Sequence, residues 1–304
     1  MTARLAHDSA LTNELSVRTQ GAGPTVVIVT GAGDCSDSWT PVADLASEFA
    51  PVVRYDRPGI GASPEGATPS VDGYLDQLDR VIDTVEDGQP IILVGHSLGG
   101  LIARLYADQF RAEVAGLVLV DPTPPQIADD RAAKAGFAAA MAMAHLLKML
   151  TPLGVTAALM AVNRLPLYPE QRCLRRQLSG RDYEQWTASV RRSVARGAAA
   201  ELASVATAAG QARTLSNNPE LPVSIVASSA YGPRWTQWQE GLARQHLHST
   251  YRSTGTKSHN IHLRHPDLVG EAIRGLVSRV FGDAPTEAKR QGLHQATSDA
   301  FLLA

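Results

Sequence analysis

The stretch IILVGHSLGG, residues 91 to 100, runs from an unbroken aliphatic segment into a serine set among glycines. An apolar run without polar alternation reads as a strand buried on both faces of a parallel sheet. The next residues, LGGLIARLYADQF, carry a helical pattern of apolar positions. Ser97 therefore falls on a strand-to-helix turn, and Gly95-His96-Ser97-Leu98-Gly99 fits the G-x-S-x-G nucleophile elbow. The turn is sharp enough that side chains two positions either side of the serine collide with backbone, which accounts for Gly95 and Gly99. Such a turn leaves the serine oxygen exposed beside the N–H groups of a helix start, where developing negative charge is favoured. His96 fills the variable position and reads as a packing residue.

Working outward, five more segments read as strands: TVVIVT (25–30), PVVRYD (51–56), GLVLVD (116–121), LPVSIVAS (221–228) and, more weakly, HSTYRST (248–254). Helical patterns separate them, in WTPVADLASEF, VDGYLDQLDRVIDTVED and LGGLIARLYADQF. Strand–helix alternation at this spacing predicts a parallel sheet covered on both faces. The alternation fails between residues 122 and 220, an alanine- and arginine-rich region that reads as several helices. Lying between two sheet strands, it is expected to be an insertion forming a helical cap over the carboxyl edge of the sheet. The core is then 14–121 with 221–282, and 283–304 is expected to be a loosely held C-terminal tail. A last helix should start near Pro266, a favoured first helical position.

The 304 residues are 44% hydrophobic and 19% charged with a formal charge of −2, which fits a globular protein and not a nucleic-acid binder. Two cysteines, Cys35 and Cys173, make neither a disulfide framework nor a metal-ligand spacing. With no apolar signal-peptide core in MTARLAHDSALTNELSV, a cytoplasmic location is expected. Residues 141–162 are the most lipid-like, but His145, Lys148, Pro152 and Gly154 interrupt them. They fall short of the roughly 18 unbroken apolar residues of a span, so an amphipathic or buried helical segment is expected and no membrane span.

The chain resembles the α/β-hydrolase superfamily from about residue 14 to 282. The likeness rests on GHSLGG, on TGAGDCSDSW after the first long strand, on YDRPGIGAS after the second and on SHNIHLRHPDLV near the end. It implies an α/β fold with a doubly wound, mostly parallel sheet of about eight strands and a helical cap. Serine members cleave esters, thioesters, lactones, amides or activated C–C bonds without a metal or organic cofactor. A serine at the elbow also sets the chain apart from members that use an aspartate there, the dehalogenases and epoxide hydrolases.

A serine hydroxyl needs a base to accept its proton. Of nine histidines, His259 lies in the loop that the resemblance makes the catalytic-histidine position, with His262 three residues on as the alternative. The acid departs from the usual pattern. In most of the family it follows the strand after the cap, yet between Pro222 and His259 there is no aspartate and one glutamate, Glu240, on a predicted amphipathic helix. Asp121, ending GLVLVD on the same sheet edge as Ser97, is the better candidate, because a triad is defined by geometry and not by chain order. Oxyanion donors are expected from the N–H of Leu98 and, by resemblance, of Ala32, with Gly33 possible in that register. Asp56 and Arg57 read as a structural loop pair, Cys35 as a packed thiol, and Trp235 and Trp238 as core or cap-contact aromatics.

The expected protein is a serine hydrolase acting on a small-molecule carboxylic ester, lactone or thioester through an acyl-enzyme on Ser97. The same triad serves an acyltransferase, thioesterase or cyclase, and a non-catalytic ligand-binding protein on this fold is a third reading. Between residues 131 and 200, eleven Lys or Arg face three Asp or Glu. That excess suits a solvated helical surface, or attraction of an anionic substrate.

Overall fold

The computed structural model describes residues 15–85, 88–166 and 168–282; the tail expected at 283–304 lies outside the described residues. The chain enters through β1 (Val17–Gln20) and β2 (Val26–Val29), then α1 (Thr40–Ala46), β3 (Val52–Tyr55) and α2 (Val71–Asp83). The elbow region follows as β4 (Ile91–His96), α3 (Leu98–Gln109) and β5 (Val114–Val120). Five helices come next: α4 (Arg131–Leu150), α5 (Val155–Ala161), α6 (Gln171–Gln177), α7 (Gly180–Ala195) and α8 (Ala198–Gln211). The sheet resumes with β6 (Val223–Ala227), α9 (Pro233–Ala243), β7 (Ser249–Ser253), α10 (Ile261–Arg264) and α11 (Pro266–Phe281).

The strands form one sheet in the order β1-β3-β2-β4-β5-β6-β7, with β1 antiparallel to β3 and the remaining pairs parallel. Among the described residues there are seven strands, against the eight the resemblance implies, because one short strand builds the antiparallel edge. Successive strand residues point to opposite faces, and here both faces are dry. Val27, Val29, Leu93, Leu117 and Leu119 pack under α2, α3 and α9. Their neighbours Val26, Ile28, Ile92, Val94, Val118 and Val120 pack against α1 and α11. At about 1.5–3 kcal/mol per fully buried aliphatic side chain, this two-sided burial is what fixes the sheet register. α11 begins at Pro266 as expected and ends before Gly282, whose φ of 78° stops it.

The inserted helices have their own core, with Leu147, Met160, Leu174, Trp186, Val190 and Val194 packed together. The same cluster takes in Cys35 and Ile60 from loops of the sheet and Leu263 from α10. α4 refines the reading of residues 141–162. The helix starts ten residues earlier, capped by Asp130 accepting from the Ala133 N–H at 2.8 Å, and Gly154 at φ 77° parts it from α5. Arg131–Leu153 is, among the described residues, the one helix long and apolar enough to cross a membrane. It packs on α7 and α8, and only Ala144 and Leu147 of α4 are buried, while Met143, Leu146 and Met149 face outward.

Candidate active site

β4 and β5 are parallel neighbours, so their carboxyl ends bring Ser97 and Asp121 to one edge of the sheet. Ser97 takes φ 52° and ψ −118°, strained for a residue with a side chain. The flanking glycines permit it. A Cβ on Gly95 would lie 2.5 Å from the Gly99 carbonyl oxygen, and one on Gly99 would lie 2.0 Å from that of Val29. Ser97 begins α3, and the N–H of Leu98 belongs to the first turn, which has no intrahelical acceptor.

Asp121 is fully buried, also at positive φ (40°). His259 Nδ1–H donates to its Oδ2 at 2.7 Å. The other donors are the Ser228 hydroxyl at 2.6 Å and N–H at 3.1 Å, and Trp235 Nε1–H at 3.1 Å. Burial pushes the Asp121 carboxyl up, but the bond from His259 and those from Ser228 outweigh it, leaving the group below the usual aspartate range. Ser228 closes the strand where the resemblance would place the acid, and it serves Asp121 from there. Glu240, the alternative, lies on α9 facing Arg244 at 3.8 Å and is not among the residues lining the cavity at Ser97.

His259 follows β7 and precedes α10, its ring edged by Tyr231 at 5.2 Å and Trp235 at 6.0 Å. Ser97 Oγ shares a hydrogen bond of 3.3 Å with Thr123 Oγ1, and no Ser97–His259 bond is formed. Both residues line the same cavity, and catalytic hydrogen bonds are often long until substrate is bound. His262, the alternative base, is buried and stacked on Trp39 at 4.3 Å, 3.4 Å from Asp34. Its ring nitrogens make no hydrogen bond to Asp34, and it does not line the cavity.

Sequence reasoning missed how His96 works. It is buried, and its Nε2–H donates to the His259 carbonyl at 3.1 Å, so the elbow anchors the base's own backbone. Burial and the facing His262 and His259 push its pKa well below the usual histidine value, which keeps the ring neutral. The GHS pattern holds no signal for this, because the bond closes only across 163 residues of chain. Trp235, expected as core or contact aromatic, is an Asp121 ligand as well. Cys35 is fully buried, and burial with Asp34, Asp56 and Asp37 pushes its thiol up, as suits a packed and unreactive residue.

Ala32 lies on the loop after β2 and lines the cavity, and among the described residues no acceptor takes its N–H. The Gly33 N–H, the other donor in that register, is occupied by Glu201 Oε2 at 2.7 Å. Asp34, His96 and His262 are, among the described residues, the one group whose ligand atoms gather, all within 4.8 Å. Zinc bonds of about 2.0–2.1 Å to nitrogen bring tetrahedral ligand atoms to roughly 3.4 Å apart, so this group is too open as it stands. Asp34 Oδ1 is also committed, to the Cys35 N–H and the Ser38 hydroxyl.

The cavity holds about 730 Å³ and is lined mainly by apolar groups, among them Ala133, Gly136, Phe137, Ala140, Leu202 and Trp238. A nucleophile elbow at the base of such a cavity, on this sheet order, defines a hydrolase-fold protein. The Alpha/beta hydrolase family description matches residues 26–272, and the chain belongs to that family. Over 111 residues it is 34% identical to Lipase LipV of Mycobacterium tuberculosis, covering 36% of this chain and 42% of that protein. Over 119 residues it is 39% identical to a pimeloyl-[acyl-carrier protein] methyl ester esterase of Chromobacterium violaceum, covering 38% and 44%. The chain thus spans less than half the length of the curated relatives it matches. In structure it is similar to a thermophilic esterase from Thermogutta terrifontis, with a TM-score of 0.60 at 19% identity over 88% of this chain and 93% of the other. An esterase from Exiguobacterium antarcticum gives 0.62 at 18% over 88% and 95%. At such identities the structural likeness speaks for the fold alone.

Proposed function

We propose that the protein is a serine ester hydrolase working through Ser97, His259 and Asp121, with the inserted helices as its cap. The observation that carries this is the 2.7 Å bond from His259 to the buried Asp121 at the sheet edge that also carries the strained Ser97. Ser97 Oγ attacks the ester carbonyl while His259 Nε2 takes its proton. Asp121 holds Nδ1–H, which fixes the tautomer and balances the imidazolium. The N–H groups of Ala32 and Leu98 receive the oxyanion, and the helix start adds its dipole. As the C–O bond breaks, His259 returns the proton to the leaving alkoxide. It then takes a proton from water, whose oxygen attacks the acyl-enzyme; as the acyl C–O bond breaks, His259 returns that proton to Ser97 Oγ and the acid leaves.

The apolar cavity favours a small or medium uncharged ester or lactone. Relatives named as a lipase and as a methyl ester esterase point the same way. A fluorophosphonate probe tests the reading. Wild type should label covalently, Ser97→Ala should not, and Asp121→Asn should label far more slowly while Glu240→Gln labels as wild type. An unlabelled wild type sinks the proposal, and a slow Glu240→Gln beside a fast Asp121→Asn moves the acid to Glu240.

A further inference from the structure

Two glutamates of the inserted segment are buried, at 1% exposure for Glu201 and 6% for Glu170, and the chemistry above uses neither. Each bonds to one of the two loops that complete the site. Glu201, on α8, accepts the Gly33 N–H at 2.7 Å through Oε2. It also takes both Nε–H and Nη2–H of Arg57, at 2.5 and 2.8 Å. Arg57 reaches on to the same loop, donating to the carbonyls of Thr30 at 3.0 Å and Gly31 at 2.7 Å. The Tyr168 hydroxyl donates to the Gly33 carbonyl, and a Cβ on Gly33 would meet the Ala198 Cβ of α8 at 3.0 Å. The polar groups on either side of the Ala32 N–H are thus held from the insertion, directly or through Arg57. With Gly33 N–H spoken for, the Ala32 N–H is the donor left facing the cavity.

Glu170 does the same for the other loop. One oxygen accepts the Ser258 hydroxyl and the other accepts Asn260 Nδ2–H at 2.8 Å. These residues flank His259 in sequence on both sides, so the carboxylate ties down the loop that carries the base. Buried anions beside an oxyanion hole would oppose the reaction if bare. Arg57 neutralises Glu201 with a bidentate pair, the geometry in which guanidinium and carboxylate bind most strongly.

We infer that Glu201 and Glu170 are positioning residues: they set the Ala32 N–H and the His259 ring in place and so make the active site depend on how the inserted helices are seated. This rests on the serine hydrolase reading above. A displacement of about 1 Å in a reacting group costs up to roughly 100-fold in rate. The loss should therefore appear in turnover and not in substrate binding, which the apolar wall governs.

The test uses Glu201→Gln and Glu170→Gln in the full chain, with the exposed Glu271→Gln as a reference. Steady-state kinetics on a p-nitrophenyl ester are normalised by fluorophosphonate titration, and hydrogen exchange is followed in peptides covering 30–36 and 256–261. Each variant should lose about 10- to 100-fold in kcat with KM within about three-fold. Exchange should rise at 30–36 alone for Glu201→Gln and at 256–261 alone for Glu170→Gln. A rise in KM alone, an unchanged kcat, or exchange raised evenly across the chain would overturn the inference. If a variant fails to fold, Tyr168→Phe and Ser258→Ala remove one bond from each clasp with the carboxylates left in place. They must then show the same local split, and without it the inference fails. A wild type that neither labels nor turns over defeats the hydrolase reading instead, while the exchange data still judge the two clasps.

Discussion

Ser97 holds a backbone conformation that costs on the order of 1–3 kcal/mol unless its surroundings compel it. The compulsion comes from the strand on one side, α3 on the other, and glycines at 95 and 99 that let both approach. Gly99→Ala would drive a methyl to 2.0 Å from the Val29 carbonyl oxygen, a backbone atom that cannot yield. The expected outcome is loss of soluble folded protein, or a large fall in Tm measured by calorimetry. At Asp121 the consequence, on the proposed triad, is catalytic. Asparagine keeps the shape but loses the charge that balances the imidazolium, so Asp121→Asn should lower kcat about 10⁴-fold. The same residue gives a pH signature in stability. Its carboxyl lies below the usual range when folded. Its contribution is therefore present above the unfolded aspartate value, about 3.9, and is lost as the pH falls through the lower folded value. The Tm gap between wild type and Asp121→Asn should stay constant from roughly pH 5 to 8 and shrink in stronger acid. A gap that widens in acid would mean that the buried carboxyl is protonated.

At the scale of elements, what could be read in advance follows burial. The strands at 25–30, 51–56, 91–95, 116–121 and 221–228 announced themselves because both faces are dry, which forces a continuous apolar run. β1 gave no such signal: VRTQ is a partly exposed edge strand, tied to β3 by its backbone ladder and by the bond from Arg54 to Gln20. α4 is a helix with one buried side, within the amphipathic or buried reading, but how little of it is buried was not legible, for the converse reason. Its apolar residues face outward, and composition alone does not say which side of a helix meets the protein. Among site residues, Ser97 and His259 were legible from local motifs. Asp121 was reached by elimination along the chain. Its partners Ser228 and Trp235 lie 107 and 114 residues away, and no local pattern carries them. Arg57 shows the same limit. YDRPGIGAS reads as a turn, while the partner of its arginine sits 144 residues on, in α8. Removing one member of a buried ion pair strands the other charge at a cost of about 3–5 kcal/mol. Arg57→Met should therefore lower Tm by on the order of 10 °C. Arg252→Met, whose pair with Glu271 is exposed, should change it little.

Across the whole molecule, the proposed reaction takes its reacting groups from the sheet edge and much of its wall from the insertion, which puts chemistry and selectivity on different parts of the chain. The wall that α4 contributes is small: Ala133, Gly136, Phe137 and Ala140 recur at helical spacing along the cavity. Gly136 is the informative position. It sits inside a helix, and a Cβ added there would meet nothing within 4 Å. Gly136→Ala should stabilise the protein by roughly 0.5–1 kcal/mol through helix propensity, with little change in activity. Gly136→Leu adds a branched side chain to the wall of a cavity of about 730 Å³, taking space that a longer acyl chain would use. Each methylene it excludes forfeits about 0.8 kcal/mol of transfer free energy, roughly four-fold in kcat/KM. A chain-length series of p-nitrophenyl esters should then show wild-type rates for Gly136→Leu on acetate and a growing deficit on longer acyl groups. If both proteins gave the same profile, α4 would not form the acyl wall. A uniform loss at every length would instead mean that the substitution had disturbed the seating of the inserted helices, and with it the loops bound by Glu170 and Glu201.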